Sequence, residues 1–239
     1  MKIAVINLVR STDRRERIEA NLAQVGLAFE FFNGIDARYG EHLGVSRYSE
    51  AAALREFHRP LSAGEVGCFA SHYLLWQRCV EARKPFVIIE DDALLDDGFV
   101  RTLETVSELI STFPLLRLGL TAEGAGSGVV LPLPQGFEVV SLAPGTYGTQ
   151  CYILSDIAAK ALVDHAAVWS FPVDIYLDRP QIHGLDSYGL RPYFVRHADQ
   201  SVYPSVIGDE RYGLWPEDPL VKIRAIVERF LAERGRRLK

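Results

Sequence analysis

Cysteine is scarce in this chain of 239 residues, and long apolar runs are missing from it. Its three cysteines are an odd number without metal-motif spacing, which argues against the disulfide framework of a small secreted domain. The apolar run over residues 3–9 is interrupted by Asn7 and followed by Arg10, so it is too short for a signal sequence or a membrane span. We therefore expect a cytoplasmic protein with an ordinary core, for which its 48% of hydrophobic residues is sufficient.

An excess of positive charge is also absent, since 26 basic side chains face 31 acidic ones and the formal net charge is −5. We therefore expect no nucleic-acid partner held by bulk positive charge. Residues 222–239 are the exception, with seven basic and two acidic side chains (net +5), which leaves −10 for the rest. We expect a globular body over residues 1–215 and a basic amphipathic helix over residues 216–239. That helix either lies on an anionic membrane surface or packs on the body with its basic face in water.

The start of the chain predicts a βαβ unit. Residues 2–8 form a short apolar run that ends in a polar loop, which is typical of a buried strand. Residues 11–13 offer N-cap oxygens, apolar residues then recur at helical spacing, and Gly26 ends the helix. Residues 28–32 follow as a second strand. This order favours an α/β fold with a mostly parallel central sheet covered by helices on both faces.

The rest of the chain predicts further helices and strands. A helix begins at Ser62, where Glu65 completes a capping box, and the apolar run over residues 86–89 is typical of a central strand. Residues 37–60 are predicted to be loop with a short helix, and the Gly- and Pro-rich residues 121–136 to be a mobile surface loop. The other predicted elements are helices over residues 99–113 and 155–163 and strands over residues 115–120, 137–142, 151–154 and 191–195.

Three carboxylates, Glu90, Asp91 and Asp92, follow the central strand. Strand alternation points Glu90 and Asp92 one way and Asp91 the other. Crowded like charges raise their own pKa values or require a cation, and carboxylate oxygens suit Mg²⁺ or Mn²⁺. Open α/β sheets bind ligands at the carboxyl ends of their strands, so the favoured use is a metal that neutralises a diphosphate. The alternative is an acidic turn in water, since Asp96 and Asp97 follow closely.

The helix that begins at Ser62 carries a second, polar face with Glu65, Cys68, His72 and Cys79. This face resembles a metal site, but zinc normally takes three or four nitrogen or sulfur ligands, and no further Cys/His pair has suitable spacing. We favour hydrogen-bonded roles for Ser71 and His72 at the base of a binding site, with Cys68 as a small buried hydrophobic residue.

Five blocks of this sequence, in this order, resemble glycosyltransferase family 25. They are INLVRSTDRRERI, FFNGIDA, LSAGEVGCFASHYLLW, FVIIEDDALLDD and GTQCYILSDIAAKAL, and the resemblance covers about residues 1–207. It implies a GT-A-like, Rossmann-type fold and the inverting transfer of a hexose from a UDP-hexose donor with Mn²⁺ (or Mg²⁺). It also implies galactose as the sugar, with glucose as the nearest variant. The implied acceptor is a lipopolysaccharide, a lipooligosaccharide or a related glycan or glycolipid.

The resemblance also implies roles for individual residues. Asp92 is the first choice for direct metal ligation, with Glu90 on the same side. From its position after a predicted strand, His197 is expected to be either a late metal or phosphate contact or a hydrogen-bonded structural residue. For Arg10 and Arg14 the alternative to a donor contact is solvated surface charge. The expected contacts with the donor are Asn7 and Leu8 (uracil or ribose), Arg10 and Arg14 (diphosphate), Gly34 and Asp36 (nucleoside), Asp91 (ribose or sugar hydroxyls), Thr149 (sugar), and Ser71 and His72 (base of the donor site).

An inverting transfer needs a carboxylate that takes the proton from the acceptor hydroxyl. Asp174 is the preferred base because the family's matching segment carries an acidic residue there, and Asp178 and Asp186 are the reserves. The alternative for Asp174 is an ordinary carboxylate at a helix N-terminus after Pro172. Two other function classes stay open: a nucleotide-sugar- or glycan-binding protein without turnover, and a metal-dependent phosphohydrolase that uses the acidic strand end.

Overall fold

The computed structural model describes residues 1–39, 45–119, 126–142 and 148–198. The predicted helix over residues 216–239 lies outside these described residues. The strands are β1 Lys2–Asn7, β2 Glu30–Asn33, β3 Phe86–Glu90, β4 Ala93–Leu95, β5 Leu115–Arg117, β6 Gly126–Pro132, β7 Glu138–Leu142, β8 Cys151–Leu154, β9 Tyr188–Arg191 and β10 Val195–His197. The α-helices are α1 Thr12–Gln24, α2 Glu50–Glu56, α3 Ala63–Ala82, α4 Phe99–Leu109, α5 Asp156–His165, α6 Val173–Leu177 and α7 Pro180–His183.

The first three elements form the predicted βαβ unit. Strand β1 pairs in parallel with β2, where Val5 lies opposite Phe31, and in parallel with β3 on its other side, where Val5 lies opposite Ile89. Because β1 has sheet neighbours on both edges and helices on both faces, its apolar run is buried almost throughout. The strand ends of β1 and β3 therefore lie side by side.

The central sheet has eight strands in the order β2-β1-β3-β8-β5-β9-β7-β6. Strands β8 and β7 pair antiparallel with both of their neighbours, so they run against the other six strands, which share one direction. This confirms the predicted α/β fold with a mostly parallel central sheet flanked by helices. The carboxyl end of β3, with its carboxylates, lies near the middle of the sheet.

Strand β3 divides the core into two layers. Ile88 packs into the layer that holds Leu75 and Trp76 of α3, and Val87 and Ile89 pack on the opposite face with residues of α1 and α4. All three β3 side chains are fully buried. Each stabilises the fold by about 1.5–3 kcal/mol relative to an exposed side chain. The strand end is consequently fixed by packing from both faces.

Helix α3 begins with the predicted capping box. The Ser62 hydroxyl accepts from the Glu65 N–H, and the Glu65 carboxylate accepts from the Ser62 N–H at 2.9 Å. Glu65 is also paired with Arg59 at 2.7 Å, and both side chains are buried. The start of α3 is therefore fixed both by hydrogen bonds to its backbone and by a buried ion pair. No helix in the described part of the chain combines the length and apolarity needed to cross a bilayer.

The predicted surface loop over residues 121–136 is wrong for residues 126–132, which form strand β6. This strand pairs antiparallel with β7, with register shifts that mark irregular pairing. Its glycines and Pro132 suggested a loop, but the partner strand β7 supplies the backbone hydrogen bonds that local composition does not indicate. Val129 and Val130 are about half exposed because β6 is the edge strand of the sheet.

The predicted strand over residues 191–195 is also wrong. Strand β9 ends at Arg191, and strand β10 begins only at Val195. The two strands belong to different sheets, since β9 joins the central sheet between β5 and β7, whereas β10 pairs antiparallel with β4. The segment predicted as one strand therefore spans the point at which the chain leaves the central sheet and enters the small one. The small β4–β10 sheet lies directly after the carboxylates.

Candidate functional site

Glu90, the last residue of β3, turns toward helix α3. The Nε2 atom of His72 lies 3.1 Å from its Oε1 atom, and the Thr149 hydroxyl donates to the same oxygen. Burial raises the pKa of Glu90, but the hydrogen bonds from His72 and Thr149 outweigh it and hold the pKa below its usual value. Glu90 is therefore an ionised and oriented carboxylate at the base of the site.

Asp91 turns to the opposite side, toward helix α1, as strand alternation predicts. It accepts hydrogen bonds from Asn7 Nδ2 and Arg14 Nη1, both at 2.8 Å. The side chains of Asn7, Arg14 and Asp91 are all buried, and burial raises the pKa of Asp91 despite the charge of Arg14. These contacts join the ends of β1 and β3 to the first turn of α1. The expected contacts of these three residues with a UDP-sugar stay predictions.

Asp92 lies beside His197, which the β4–β10 sheet brings to the strand end. His197 lies opposite Ala93 in that sheet, and the Ala198 N–H donates to the Asp92 carbonyl at 2.8 Å. His197 Nδ1 is 3.8 Å from Asp92 Oδ2. In the described part of the chain, Asp92 Oδ1 and His197 Nδ1 are buried and have no hydrogen-bond partner.

The electrostatics of Asp92 suit a cation. Burial, followed by the charge of Glu90, raises the pKa of Asp92 to about 7. Burial lowers the pKa of His197, which keeps its ring neutral and able to act as a ligand. Carboxylate oxygens and a neutral imidazole are a donor set that fits Mn²⁺. Asp92 and His197 therefore offer buried atoms without a hydrogen-bond partner among the described residues, and their role as metal ligands stays a prediction.

A chain of hydrogen bonds runs from the core to Glu90. The Trp76 indole N–H donates to the Tyr152 hydroxyl at 2.8 Å, and that hydroxyl lies 2.7 Å from His72 Nδ1. In the arrangement that satisfies every group, Tyr152 donates to Nδ1 and His72 donates from Nε2 to Glu90. His72 is completely buried. Its ring, and with it the Glu90 carboxylate, is therefore oriented from inside the core.

Cys68 lies one helical turn before His72 and faces the same carboxylate. Its Sγ atom, a ring nitrogen of His72 and a carboxylate oxygen of Glu90 all lie within 4.8 Å of one another. Cys68 is partly exposed, which differs from the expected fully buried hydrophobic role, whereas Cys79 and Cys151 are buried. The predicted polar face of α3 thus meets the strand end, but through Cys68 and His72 and not through Cys79.

The segment after β2 is fixed to helix α3 by a close backbone approach. The Ile35 N–H donates to the Ser71 hydroxyl at 2.8 Å, and that hydroxyl donates to the Gly67 carbonyl. A side chain on Gly67 would place its Cβ 2.3 Å from the Ile35 carbonyl oxygen, so only glycine fits. The Gly34 N–H donates to the Asn7 carbonyl at 2.8 Å. Ser71 therefore positions the predicted nucleoside-binding turn.

The exposed part of this turn carries a small charge cluster. Arg10 lies 2.6 Å and Arg38 3.1 Å from the Asp36 carboxylate. Partial burial raises the pKa of Asp36, but the hydrogen bonds from Arg10 and Arg38 hold the pKa below its usual value. Leu8 is half-buried beside Gly34. The structure therefore brings together Leu8, Arg10, Gly34 and Asp36 near the end of β1, and their expected donor contacts stay predictions.

The three candidates for the base differ in their surroundings. Asp174 lies in the first turn of α6, is partly exposed, and accepts from the Ile175 N–H at 2.9 Å. Asp178 is buried against Arg117 at 3.1 Å, which indicates a structural ion pair. Asp186 is exposed on the segment before β9 and accepts a hydrogen bond from Tyr188 at 3.3 Å. Asp174 stays the preferred prediction for the base, and its side chain is partly exposed.

Sequence reasoning missed Tyr152 and Trp76, which orient His72 from the core. One signal was available, since Trp76 follows His72 at helical spacing on α3. For Tyr152 there was none, because its contact depends on the antiparallel pairing of β8 with β3, which places Tyr152 opposite Ile88. Gln150 was also missed, and its side chain contacts the His197 ring.

Comparison with known proteins gives a consistent result. Residues 1–124 match the family described as glycosyltransferase family 25 (LPS biosynthesis protein). The chain is 30% identical over 189 residues to procollagen galactosyltransferase 1-A of Xenopus laevis, covering 74% of this chain and 30% of that protein. It is 29% identical over 169 residues to the lipooligosaccharide biosynthesis protein lic2B of Haemophilus influenzae, covering 67% and 62%.

A third relative is described as inactive. The inactive glycosyltransferase 25 family member 3 of Mus musculus is 30% identical over 187 residues, covering 74% of this chain and 31% of that protein. The chain thus spans less than a third of the animal relatives and 62% of the Haemophilus protein. Since the family match extends over residues 1–124 of 239, more than half of the sequence, the chain belongs to glycosyltransferase family 25.

Proposed function

We propose that this chain is a metal-dependent, inverting glycosyltransferase that moves a hexose from a UDP-hexose to a glycan or glycolipid acceptor. The observation that carries the proposal is the buried, unsatisfied pair of Asp92 Oδ1 and His197 Nδ1 at the end of a central strand. Galactose is the preferred sugar and a lipooligosaccharide or lipopolysaccharide the preferred acceptor, because two relatives are described as a galactosyltransferase and a lipooligosaccharide biosynthesis protein. Glucose is the nearest variant.

Asp92 and His197, with Glu90 beside them, are the residues that would hold Mn²⁺ or Mg²⁺. When bound, the metal would supply positive charge for the UDP leaving group. The chain's own contribution is orientation: Glu90 is fixed by His72 and Thr149, and Asp92 is fixed through its carbonyl by Ala198. A set of ligands held in place before the donor binds loses little free energy to reorganisation.

Asp174 is assigned as the general base that takes the proton from the acceptor hydroxyl. A carboxylate can accept this proton as a general base, and Asp174 is partly exposed. Helix α6, on which Asp174 lies, packs against α3, which carries His72. This packing of α6 on α3 supports the assignment, because a transfer needs its base close to the bound donor.

A second candidate function is the binding of a nucleotide sugar or glycan without turnover. It is favoured by the relative described as inactive, which is as similar to this chain as the galactosyltransferase. The carboxylates and His197 are present in either case, so metal-dependent binding of UDP does not distinguish the two functions. Only turnover does.

The deciding experiment incubates the protein with Mn²⁺ and a panel of UDP-sugars and measures UDP release with and without acceptor glycans. Acceptor-dependent release supports the transferase, and UDP binding without release supports the binding protein. Rapid hydrolysis of unrelated phosphoesters would instead support a phosphohydrolase. The matched variants are Asp92→Ala, which should lose release, and Asp97→Ala, an exposed carboxylate a few residues later that should retain it.

A peripheral contact with an anionic membrane is proposed for residues 216–239, which lie outside the described residues. The support is the charge of this segment together with a lipid-linked acceptor, since a basic helix gains about 1 kcal/mol for each basic residue near such a surface. The test is co-sedimentation of the full chain with vesicles that contain anionic lipid. Replacement of Arg229, Arg234, Arg236 and Arg237 by Glu should abolish binding, and unchanged binding would exclude the contact.

A further inference from the structure

We propose that Cys68, His72 and Glu90 form a second cation site that selects a soft transition metal of the Zn²⁺ class. The ligand atoms are Cys68 Sγ, a ring nitrogen of His72 and a carboxylate oxygen of Glu90, all within 4.8 Å of one another. The proposal does not depend on the transferase function, because that function assigns its metal to Asp92 and His197. The two sites share only Glu90.

The backbone explains why these three groups meet. Cys68 and His72 are four residues apart on α3, so one helical turn places them on the same face. Glu90 ends β3, whose face toward α3 is packed by Ile88 against the same helix. Both elements are rigid, since α3 is capped at Ser62 and β3 is buried in the sheet. A cation would meet these ligands without rearrangement of the backbone.

The surroundings of the ligands match those of metal-binding side chains. A histidine ligand usually holds its second ring nitrogen in a hydrogen bond, and His72 Nδ1 lies 2.7 Å from the Tyr152 hydroxyl. Glu90 is oriented in the same way by the Thr149 hydroxyl. The only ring nitrogen of His72 that faces both Cys68 and Glu90 is therefore Nε2, which would bind the metal.

The ligand set determines which ion binds. A thiolate with an imidazole and a carboxylate favours Zn²⁺ or Co²⁺, whereas Mg²⁺ and Mn²⁺ prefer oxygen ligands. Three protein ligands leave a fourth position for water, and Cys68 and Glu90 are partly exposed, so the ion has a path of entry. Binding releases the thiol proton of Cys68. For Nε2 to bind the metal, the ring proton of His72 moves to Nδ1, where the Tyr152 oxygen accepts it, and the Nε2–H donation to Glu90 is replaced by the metal.

The other cysteines provide matched controls. Cys79 lies on the same helix, is completely buried and donates its thiol proton toward the Lys84 carbonyl at 3.2 Å. Burial raises the pKa of Cys79 to about 12 and also raises that of Cys151. Neither thiol has a histidine and a carboxylate within ligand distance in the described part of the chain. A signal from a metal-bound thiolate would therefore originate from Cys68.

The first test replaces Zn²⁺ by Co²⁺, whose absorption spectrum reports thiolate ligation. Tag-free protein titrated with one equivalent of Co²⁺ should show a thiolate-to-cobalt charge-transfer band that one equivalent of Zn²⁺ removes and excess Mn²⁺ does not. Cys68→Ser should lose the band and weaken Zn²⁺ binding by at least about tenfold, because even the loss of a group that only orients a metal ligand typically costs about 10- to 100-fold in affinity. Cys79→Ser should keep both. An absent band in the wild-type protein, or an unchanged band in Cys68→Ser, would overturn the proposal.

A second measurement needs no variant and so does not depend on how Cys68→Ser folds. The native protein is treated with iodoacetamide with and without Zn²⁺, and alkylation of each cysteine is quantified by mass spectrometry. Zn²⁺ should slow alkylation of Cys68 at least about tenfold and leave the slow alkylation of Cys79 and Cys151 unchanged. Equal rates for Cys68 with and without Zn²⁺ would show that the ion does not bind its sulfur, whether or not the protein transfers sugars.

Discussion

His197 Nδ1 lies 3.8 Å from Asp92 Oδ2, although the two residues are far apart in the sequence. The contact is made by the β4–β10 sheet, which is separate from the central sheet. Both residues present a buried nitrogen or oxygen with no hydrogen-bond partner among the described residues. Burying such atoms without a partner costs about 1–3 kcal/mol each, so a bound cation would stabilise this pair.

Asp92→Ala should remove the metal-dependent part of UDP binding. The reason is that one of the two unsatisfied metal-binding groups is lost while the core is untouched. We expect the affinity for UDP in Mn²⁺ to fall at least about tenfold in isothermal titration calorimetry. Asp97→Ala, with an exposed carboxylate, should bind UDP like the wild type. Unchanged affinity in Asp92→Ala would remove Asp92 from the metal site.

Tyr152→Phe should weaken the orientation of Glu90 without removing any group that contacts the substrate. The change leaves the Trp76 N–H and His72 Nδ1 unsatisfied in the core, so we expect a loss of about 1–3 kcal/mol in the free energy of unfolding. The kcat of transfer should fall with KM for the donor little changed. The control is Tyr188→Phe, which removes a hydroxyl that donates only a long hydrogen bond of 3.3 Å to the exposed Asp186. Wild-type kcat in Tyr152→Phe would show that this hydrogen-bond chain is structural only.

Asp174→Asn should keep the affinity for the donor but lower turnover. A general base contributes about 10²–10⁴-fold to the rate, so kcat should fall by that factor in a UDP-release assay. Asp164→Asn, a surface carboxylate paired with Lys160 on α5, is the control and should keep its kcat. A kcat within twofold of the wild type would reject Asp174 as the base.

Gly67→Ala should destabilise the protein, because its new Cβ would lie 2.3 Å from the Ile35 carbonyl oxygen. Overpacking of this kind costs about 1–3 kcal/mol, here measured as a lower urea midpoint. Gly128→Ala on the edge strand β6, where the nearest atom is 4.0 Å away, should leave the midpoint unchanged. Equal midpoints for the two variants would mean that the turn after β2 moves freely away from α3.

Stability should fall as the solution is acidified, in part because of His183. Burial lowers the pKa of His183 to about 4 from 6.5, and its ring donates to the Tyr176 carbonyl and accepts from the Leu185 N–H. The unfolded chain therefore binds a proton below pH 6.5 that the folded chain does not bind until near pH 4. From pH 7 to pH 5 this costs about 2 kcal/mol.

His183→Gln isolates that contribution, because glutamine can donate and accept but does not titrate. Its free energy of unfolding should depend less on pH between 7 and 5 than that of the wild type, by about 2 kcal/mol. Urea unfolding at both pH values measures the difference. Parallel pH profiles for the two proteins would contradict a neutral, buried His183.

Several parts of the fold could be predicted because local sequence decides them. The capping box of Ser62 and Glu65, the apolar run of β3 and the βαβ order each depend on neighbouring residues, and the structure confirms all three. Strand β6 could not be predicted, since its pairing with β7 overrides a Gly- and Pro-rich composition. The break between Arg191 and Val195 was missed because it marks a change of sheet.

The candidate site shows the same division. The carboxylates at the end of β3 follow from strand alternation and from the family's sequence blocks. The partners of those carboxylates do not, because Arg14 and Asn7 reach Asp91, and Tyr152 reaches His72, across elements whose packing is a long-range property. Cys68 and His72 were placed on one helix face, but their meeting with Glu90 depends on how α3 lies on the sheet.

The late position of β10 in the chain has a consequence for biosynthesis. While the protein is being made, the ribosome releases Glu90, Asp92 and the helix carrying His72 long before residues 195–198 emerge. A nascent chain can therefore assemble the βαβ unit and orient Glu90, yet it lacks the histidine beside Asp92 and the strand that pairs with β4. The pair of residues on which the proposed metal site depends is thus complete only once residues 195–198 have been made.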